Sequence, residues 1–256
     1  MGRCWSVGLS PPERCYPHPQ PGAIIAPSMA TPDSPRLSLA LLGGEGLRAE
    51  ATSLWRGWLL AQAQPRRALV LHLGTPNDPP GSRQRRASLI ASTLGGLGFA
   101  PEVVDPAAMA STPLPPVDWV YLSGNPHVLC QQLPGTALWE SLRSGLRTGL
   151  VLVAAGGGAV ALGEMAFAPT RPYPAALDAL EFEPLPGLNL LPGTVILPYF
   201  NWLQPIIIER IVAHCPSGSR LIGMGDQAAL VACPDGWEVA GVGTVSIWRP
   251  GESPRV

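Results

Sequence analysis

Three consecutive glycines, Gly156, Gly157 and Gly158, close an apolar run over residues 150–155, and this is where residue types and spacing point most directly to chemistry. An apolar strand that runs into small residues and then a small-residue helix is the backbone context of a nucleophile elbow, a sharp turn that projects one residue over a sheet. Glycine tolerates such a turn, and the N–H groups at the start of the next helix can face a developing oxyanion. The same texture can cradle a phosphate, but the run has neither the GxGxxG spacing nor a GK[ST] ending. Other chemistry-bearing residues are scattered. Ser123 and Asn125 stand at a predicted strand end, on the side of the sheet where open α/β folds take ligands. Ser123 reads either as a structural serine or as a displaced nucleophile, with His127 as the nearest predicted base. His127 and Cys130, three apart, can share a helix face, but two ligands alone do not make a zinc site. His72 falls inside a strand and reads as a core histidine, while His214 ends a helix, where an imidazole suits the dipole. Arg83, Arg85 and Arg86 cluster ahead of a helix as a solvated face or an anion patch. All 17 basic residues are Arg, so no lysine is present to form a Schiff base or act as a base.

The elements that must position these groups follow from the apolar pattern. Residues 1–36 hold eight prolines and no periodicity, and read as a flexible leader with Met29 as an alternative start. Strands are expected at 37–42, 68–73, 101–104, 119–122 and 150–154, and helices at 47–63, 83–97 and 136–147. Continuous apolar strands between amphipathic helices predict a three-layer α/β/α domain, flavodoxin-like, with a mostly parallel sheet covered on both faces. Beyond Gly163 the chain turns Pro-rich. A helix near 202–213 and short strands at 220–223, 228–232, 237–242 and 244–248 then suggest an antiparallel edge on the parallel core. The domain is bounded at 37–250, with residues 251–256 as a tail.

A hydrophobic fraction of 46% with 14% charged residues supports a folded core. Net charge −1 with a pI near 6.4 offers no footprint for nucleic acid or an anionic membrane. Five cysteines without a CxxC pair argue against a disulfide framework and a structural zinc. The N-terminus has no apolar segment before a cleavage site, and the longest apolar stretch, about 14 residues, is too short to span a bilayer. The expectation is a cytoplasmic protein with no metal or cofactor.

A collinear set of motifs over about residues 38–248 resembles the cyanophycinase/dipeptidase E family, serine peptidases of the class I glutamine amidotransferase-like group. Leu41-Leu42-Gly43-Gly44 is similar to the family's opening strand and turn, and Tyr121-Leu122-Ser123-Gly124-Asn125 to its strand-end G-G-N/D, which contributes an oxyanion-hole amide. Leu133-Pro134-Gly135-Thr136 resembles L-x-G-T. Ala154-Ala155-Gly156-Gly157-Gly158-Ala159 stands where the family reads G-x-S-A-G-A. Downstream, residues 187–193 resemble G-L-G-L-L-P-G, residues 196–200 D-P-H-F, and residues 223–231 G-I-D-E-x-T-A-L-V. The departures bear on function. Gly156 occupies the nucleophile position, Tyr199 that of the histidine, Leu197 that of the preceding Asp, and Asp226 that of a Glu. The resemblance therefore implies a family scaffold whose nucleophile and base are both missing. Ser123, Gly124, Asn125 and Gly157 are its implied oxyanion and pocket residues. It further implies a small peptide or amino-acid-like ligand, with three roles open: a catalytically silent binding or interaction module, a hydrolase using relocated residues, or a structural partner, as a homodimer or beside an active paralogue.

Overall fold

A computed structural model describes residues 24–25, 38–45, 67–74, 78–79, 81–104, 111–169, 182–233 and 236–252. The helix expected at 47–63 and most of the proposed leader and tail lie outside these residues.

The continuous apolar runs form a parallel core in the order β2-β6-β5-β3-β4. Its members are β2 (Ser38–Leu42), β3 (Arg67–Leu73), β4 (Ala100–Val103), β5 (Trp119–Gly124) and β6 (Val151–Ala155). Successive side chains of a strand point to opposite faces, so each run must be apolar throughout if both faces are covered. Leu39, Leu41, Leu69, Leu71, Val120, Leu122 and Leu152 share one buried cluster with Leu129 of α2 (Pro126–Gln132) and Leu138, Leu142 and Leu146 of α3 (Ala137–Arg147). Ala40, Leu42, Val70, Tyr121 and Val153 share the other with Ala87, Ile90 and Leu94 of α1 (Ser82–Gly96). Helix starts follow local chemistry. Thr136 caps α3, its hydroxyl accepting from Trp139 N at 3.1 Å, and Asn125 caps α2 ahead of Pro126.

Three antiparallel strands extend this sheet beyond β2: β11 (Ala228–Cys233), β12 (Gly236–Gly241) and β1 (Ile24–Ile25). An antiparallel edge was expected, but β1 was not, because it lies within the segment read as a leader. A larger difference concerns the residues after Gly163. They build a second, five-stranded sheet in the order β13-β10-β9-β7-β8. It consists of β7 (Gly163–Pro169), β8 (Phe182–Pro186), β9 (Leu191–Leu197), β10 (Arg220–Met224) and β13 (Val245–Trp248). Strands β10 and β13 were expected, as part of the edge of the first sheet, whereas prolines hid β7, β8 and β9. Pro169 ends β7, Pro192 lies near the start of β9, and Pro184 and Pro186 lie in β8, an edge strand, where a missing N–H is tolerated. Ile196, Ile222, Met224 and Val245 join the main core, while Val195, Leu197, Leu221 and Trp248 pack on Ile207 and Ile211 of α5 (Pro205–His214). Among the described residues no helix is long and apolar enough to cross a membrane.

Leu142 is fully buried where α3 meets the sheet, whereas Leu89 of α1 is half exposed. Leu142→Ala should lower unfolding free energy by about 2–5 kcal/mol, while Leu89→Ala should stay within about 0.5 kcal/mol. Urea denaturation of the two variants checks both values.

Candidate functional site

The three glycines of the strand-to-helix turn meet two different requirements. Gly157 and Gly158 open the short helix α4 (Gly157–Ala161), which lies against the end of β5. A Cβ at Gly157 would stand 2.0 Å from Gly124 O, and one at Gly158 2.2 Å from Leu122 O. No other residue fits against those carbonyls. Gly156 instead adopts φ 51° and ψ −117°, which L side chains rarely take. Its N–H donates to Leu42 O at 3.2 Å, tying the elbow to β2. The nearest group over Gly156 is Tyr199: a Cβ there would lie 3.4 Å from its hydroxyl and 3.6 Å from its ring.

Tyr199 follows β9 and is itself left-handed, with φ 54°. Its N–H donates to Gly43 O at 2.7 Å, and its carbonyl accepts from Trp202 N at 2.8 Å, so the backbone on both sides holds the phenol over the elbow. Gly43 and Gly44 permit this arrangement. Cβ atoms there would fall 2.0 Å from Gly225 O and 2.5 Å from Asp226 O, so the end of β2 sits directly on the turn between β10 and β11. Asp226 belongs to that turn. Its carboxylate accepts from Asn201 Nδ2 at 3.1 Å and its N–H donates to Asn201 Oδ1 at 2.9 Å, a reciprocal pair that fixes the loop behind Tyr199. A second phenol lies close by. Tyr121 donates its hydroxyl to Glu45 O, and the Glu45 carboxylate pairs with Arg86 at 2.6 Å. Burial, then Glu45 and Tyr199, push the Tyr121 phenol well above the usual tyrosine range, so it stays neutral.

Ser123 and His72 form a pair that sequence spacing does not reveal. β3 and β5 run parallel with His72 opposite Ser123, and the Ser123 hydroxyl and His72 Nδ1 share a 2.8 Å hydrogen bond. The nearest imidazole to Ser123 is thus His72 and not His127, whose N–H donates to the Asn125 side chain at 2.9 Å. Ser123 is buried at 3% exposure. Burial, then Arg86, lowers the His72 pKa to about 4, with Arg83 adding to the fall and Asp78 opposing it. Gly124, at φ 123°, lies against Leu73 O, and the N–H of Asn125 donates to that same oxygen at 2.6 Å. The Asn125 side chain is engaged in capping α2. Cys130 does not join His127 as a ligand pair: its thiol faces Ala161 O at 4.0 Å, and burial raises its pKa to about 11. Among the described residues no three metal-ligating side chains cluster. His214 Nδ1 is hydrogen-bonded to Arg210 O within its own helix.

No family profile and no curated protein matches this chain. Solved structures do. A peptidase from an acI-B1 actinobacterium aligns with a TM-score of 0.67 at 17% identity, covering 86% of this chain and 94% of that one. A putative Peptidase E protein from Listeria monocytogenes EGD-e aligns with a TM-score of 0.53 at 16% identity, covering 83% and 98%. The fold is therefore peptidase E-like, an α/β architecture around a large, mostly parallel sheet.

Two expectations follow from this geometry. Gly156→Ser brings a side chain into ordinary contact with Tyr199 at a strained φ and should cost about 1–3 kcal/mol, whereas Gly157→Ser meets a backbone carbonyl and should cost more. Chemical denaturation of both proteins ranks them. His72 is neutral in the folded protein down to about pH 4, while in the unfolded chain it protonates near 6.5. Its folded pKa is depressed, so stability is full above pH 6.5 and falls as pH drops from there toward 4, by roughly 2–3 kcal/mol. His72→Gln should flatten that slope in unfolding curves measured between pH 7.5 and 4.5.

Proposed function

We propose that this chain is a peptidase E-like protein of the cyanophycinase/dipeptidase E type that has lost serine-peptidase chemistry and uses the cleft over its elbow to bind a small peptide or amino-acid-like ligand. The observation that carries this reading is the elbow itself: a glycine in the strained conformation, with a tyrosine hydroxyl 3.4 Å from where a side chain would begin. Serine hydrolysis needs a nucleophilic oxygen and a base within hydrogen-bond reach. Position 156 offers no oxygen. A phenol with an ordinary pKa of about 10 is protonated at neutral pH and does not act as the base. The carboxylate of Asp226 is engaged with Asn201 rather than orienting a base. What remains favours recognition: an aromatic ring with a polar tip beside a preformed turn offers contact area to a small ligand.

A second reading rests on the Ser123–His72 hydrogen bond, which joins a hydroxyl to a neutral imidazole as a relocated nucleophile and base would require. Two features weigh against it. The serine is sealed from solvent, and a histidine lowered to about 4 is a weak proton acceptor at pH 7.

Incubation of the purified protein with a fluorophosphonate probe, and separately with aspartyl dipeptides and cyanophycin, tests both readings. The expected outcome is no labelling and no turnover above a denatured control, and the same for Gly156→Ser, because position 199 still lacks a base. Labelling that maps to Ser123 and disappears in Ser123→Ala would establish the second reading and overturn the first. Robust hydrolysis by Gly156→Ser alone would show that the base has been misassigned.

A further inference from the structure

Open α/β sheets take their ligands at the carboxyl ends of the strands, so charged groups placed there differ in meaning from charged groups elsewhere. Arg67 and Asp118 pair at the amino ends of β3 and β5, and Arg143 pairs with Glu140 along α3. The pair of Glu45 with Arg86 instead joins the segment just after β2 to the early part of α1, at the carboxyl edge. It stands beside the elbow. The main-chain oxygen of Glu45 accepts from the Tyr121 hydroxyl, and Tyr121 lies within electrostatic reach of Tyr199 as well as of Glu45 and Arg86. Tyr199 in turn is the nearest group over Gly156.

Both side chains keep surface for a ligand, Glu45 at 34% and Arg86 at 44% exposure. The contact between them runs from one guanidinium nitrogen to one carboxylate oxygen, at 2.6 Å. A guanidinium has several N–H donors and a carboxylate several lone-pair sites, so each partner has capacity left once the pair has formed. Charge decides what fits that capacity. An anion drawn to Arg86 is repelled by Glu45, a cation meets the reverse, and a neutral molecule gains little from either. A molecule with one charge of each sign, set close together, is attracted by both. The α-ammonium and α-carboxylate of a free amino acid hang on one carbon and match the close spacing of the pair. In an extended dipeptide each further residue moves the charged ends apart by about 3.3–3.6 Å, and the match is lost.

We propose that the Glu45–Arg86 pair recognises the zwitterionic head group of a free α-amino acid, the ammonium meeting the second oxygen of Glu45 and the carboxylate meeting the remaining N–H groups of Arg86. The pair stays closed, and the four charges alternate in sign around a ring. This rests on the reading that the elbow cleft takes a small ligand, and adds which part of that ligand is read and which molecules are refused.

Calorimetric titration of the full chain with the proteinogenic amino acids, taken singly at millimolar concentration, tests it. At least one should bind, and its N-acetyl derivative and its carboxamide, each with one charge removed, should bind at least about tenfold more weakly. Glu45→Gln should lose the preference for the free amine and keep that for the free carboxylate, and Arg86→Gln should do the reverse. A loss of folding would move both preferences together, so the split separates recognition from stability, and the comparison of derivatives needs no variant at all. Dipeptides capped at both ends by acetyl and amide groups form the last arm. Amino acids that bind no better than their capped forms, or preferences that survive both substitutions, overturn the inference. If the capped dipeptides bind in that case, the elbow remains a ligand site; if no amino acid and no dipeptide binds, the reading of the cleft falls with it.

Discussion

The candidate site depends on backbone meeting backbone at the carboxyl edge of the parallel sheet. Helix α4 rests on the final carbonyls of β5, and the end of β2 rests on the turn between β10 and β11, both at distances that leave no room for a Cβ. These contacts set where everything else stands. Because α4 is held down on β5, the chain must leave β6 by a tight turn, and that turn places Gly156 in a left-handed conformation. Because Gly43 lies on Gly225, its carbonyl is placed to receive the N–H of Tyr199, and the phenol is aimed over the elbow. Van der Waals exclusion, more than any polar interaction, organises the site.

This ordering separates what the glycines report from what they do not. Close approach selects glycine whether or not a reaction takes place. Gly43, Gly44, Gly157 and Gly158 are therefore accounted for by packing alone, and their presence carries no information about catalysis. Gly156 differs. A Cβ there would meet the Tyr199 side chain at 3.4 Å and not clash with a carbonyl, and its conformation is of the kind that enzymes hold under strain to present a side chain. Here the conformation is tied to its neighbours, the Gly156 N–H donating to Leu42 O, and position 156 carries no side chain.

Much of the first sheet could be read in the sequence because both of its faces are buried. Strands β2, β3, β5 and β6 are apolar over most of their length, and runs such as 68–73 and 150–154 stand out against amphipathic helices. The second sheet could not be read in this way. β8 is an edge strand with two prolines, β7 and β9 have prolines at or near their ends, and each resembles a connection when taken alone. Within the site, the elbow was legible from local texture, since a turn is a local object. The Ser123–His72 pair was not, because it exists only through the register of two strands whose paired residues are 51 positions apart. His127, four residues from Ser123, is the nearer histidine in sequence, yet it is His72 that the pairing of β3 with β5 sets against the Ser123 hydroxyl. Strand register outweighs proximity along the chain.

The polar groups around the elbow make the same point from the side of electrostatics. Among the described residues Asp226 is engaged with Asn201, Glu45 with Arg86, and His72 with Ser123, its basicity reduced by burial. Tyr121 spends its only proton on Glu45 O. A catalytic site keeps at least one titratable group poised near the working pH and turned toward the reacting atoms. In this structure these groups stabilise the loops that carry the elbow, and the partly buried Tyr199 phenol stands over Gly156.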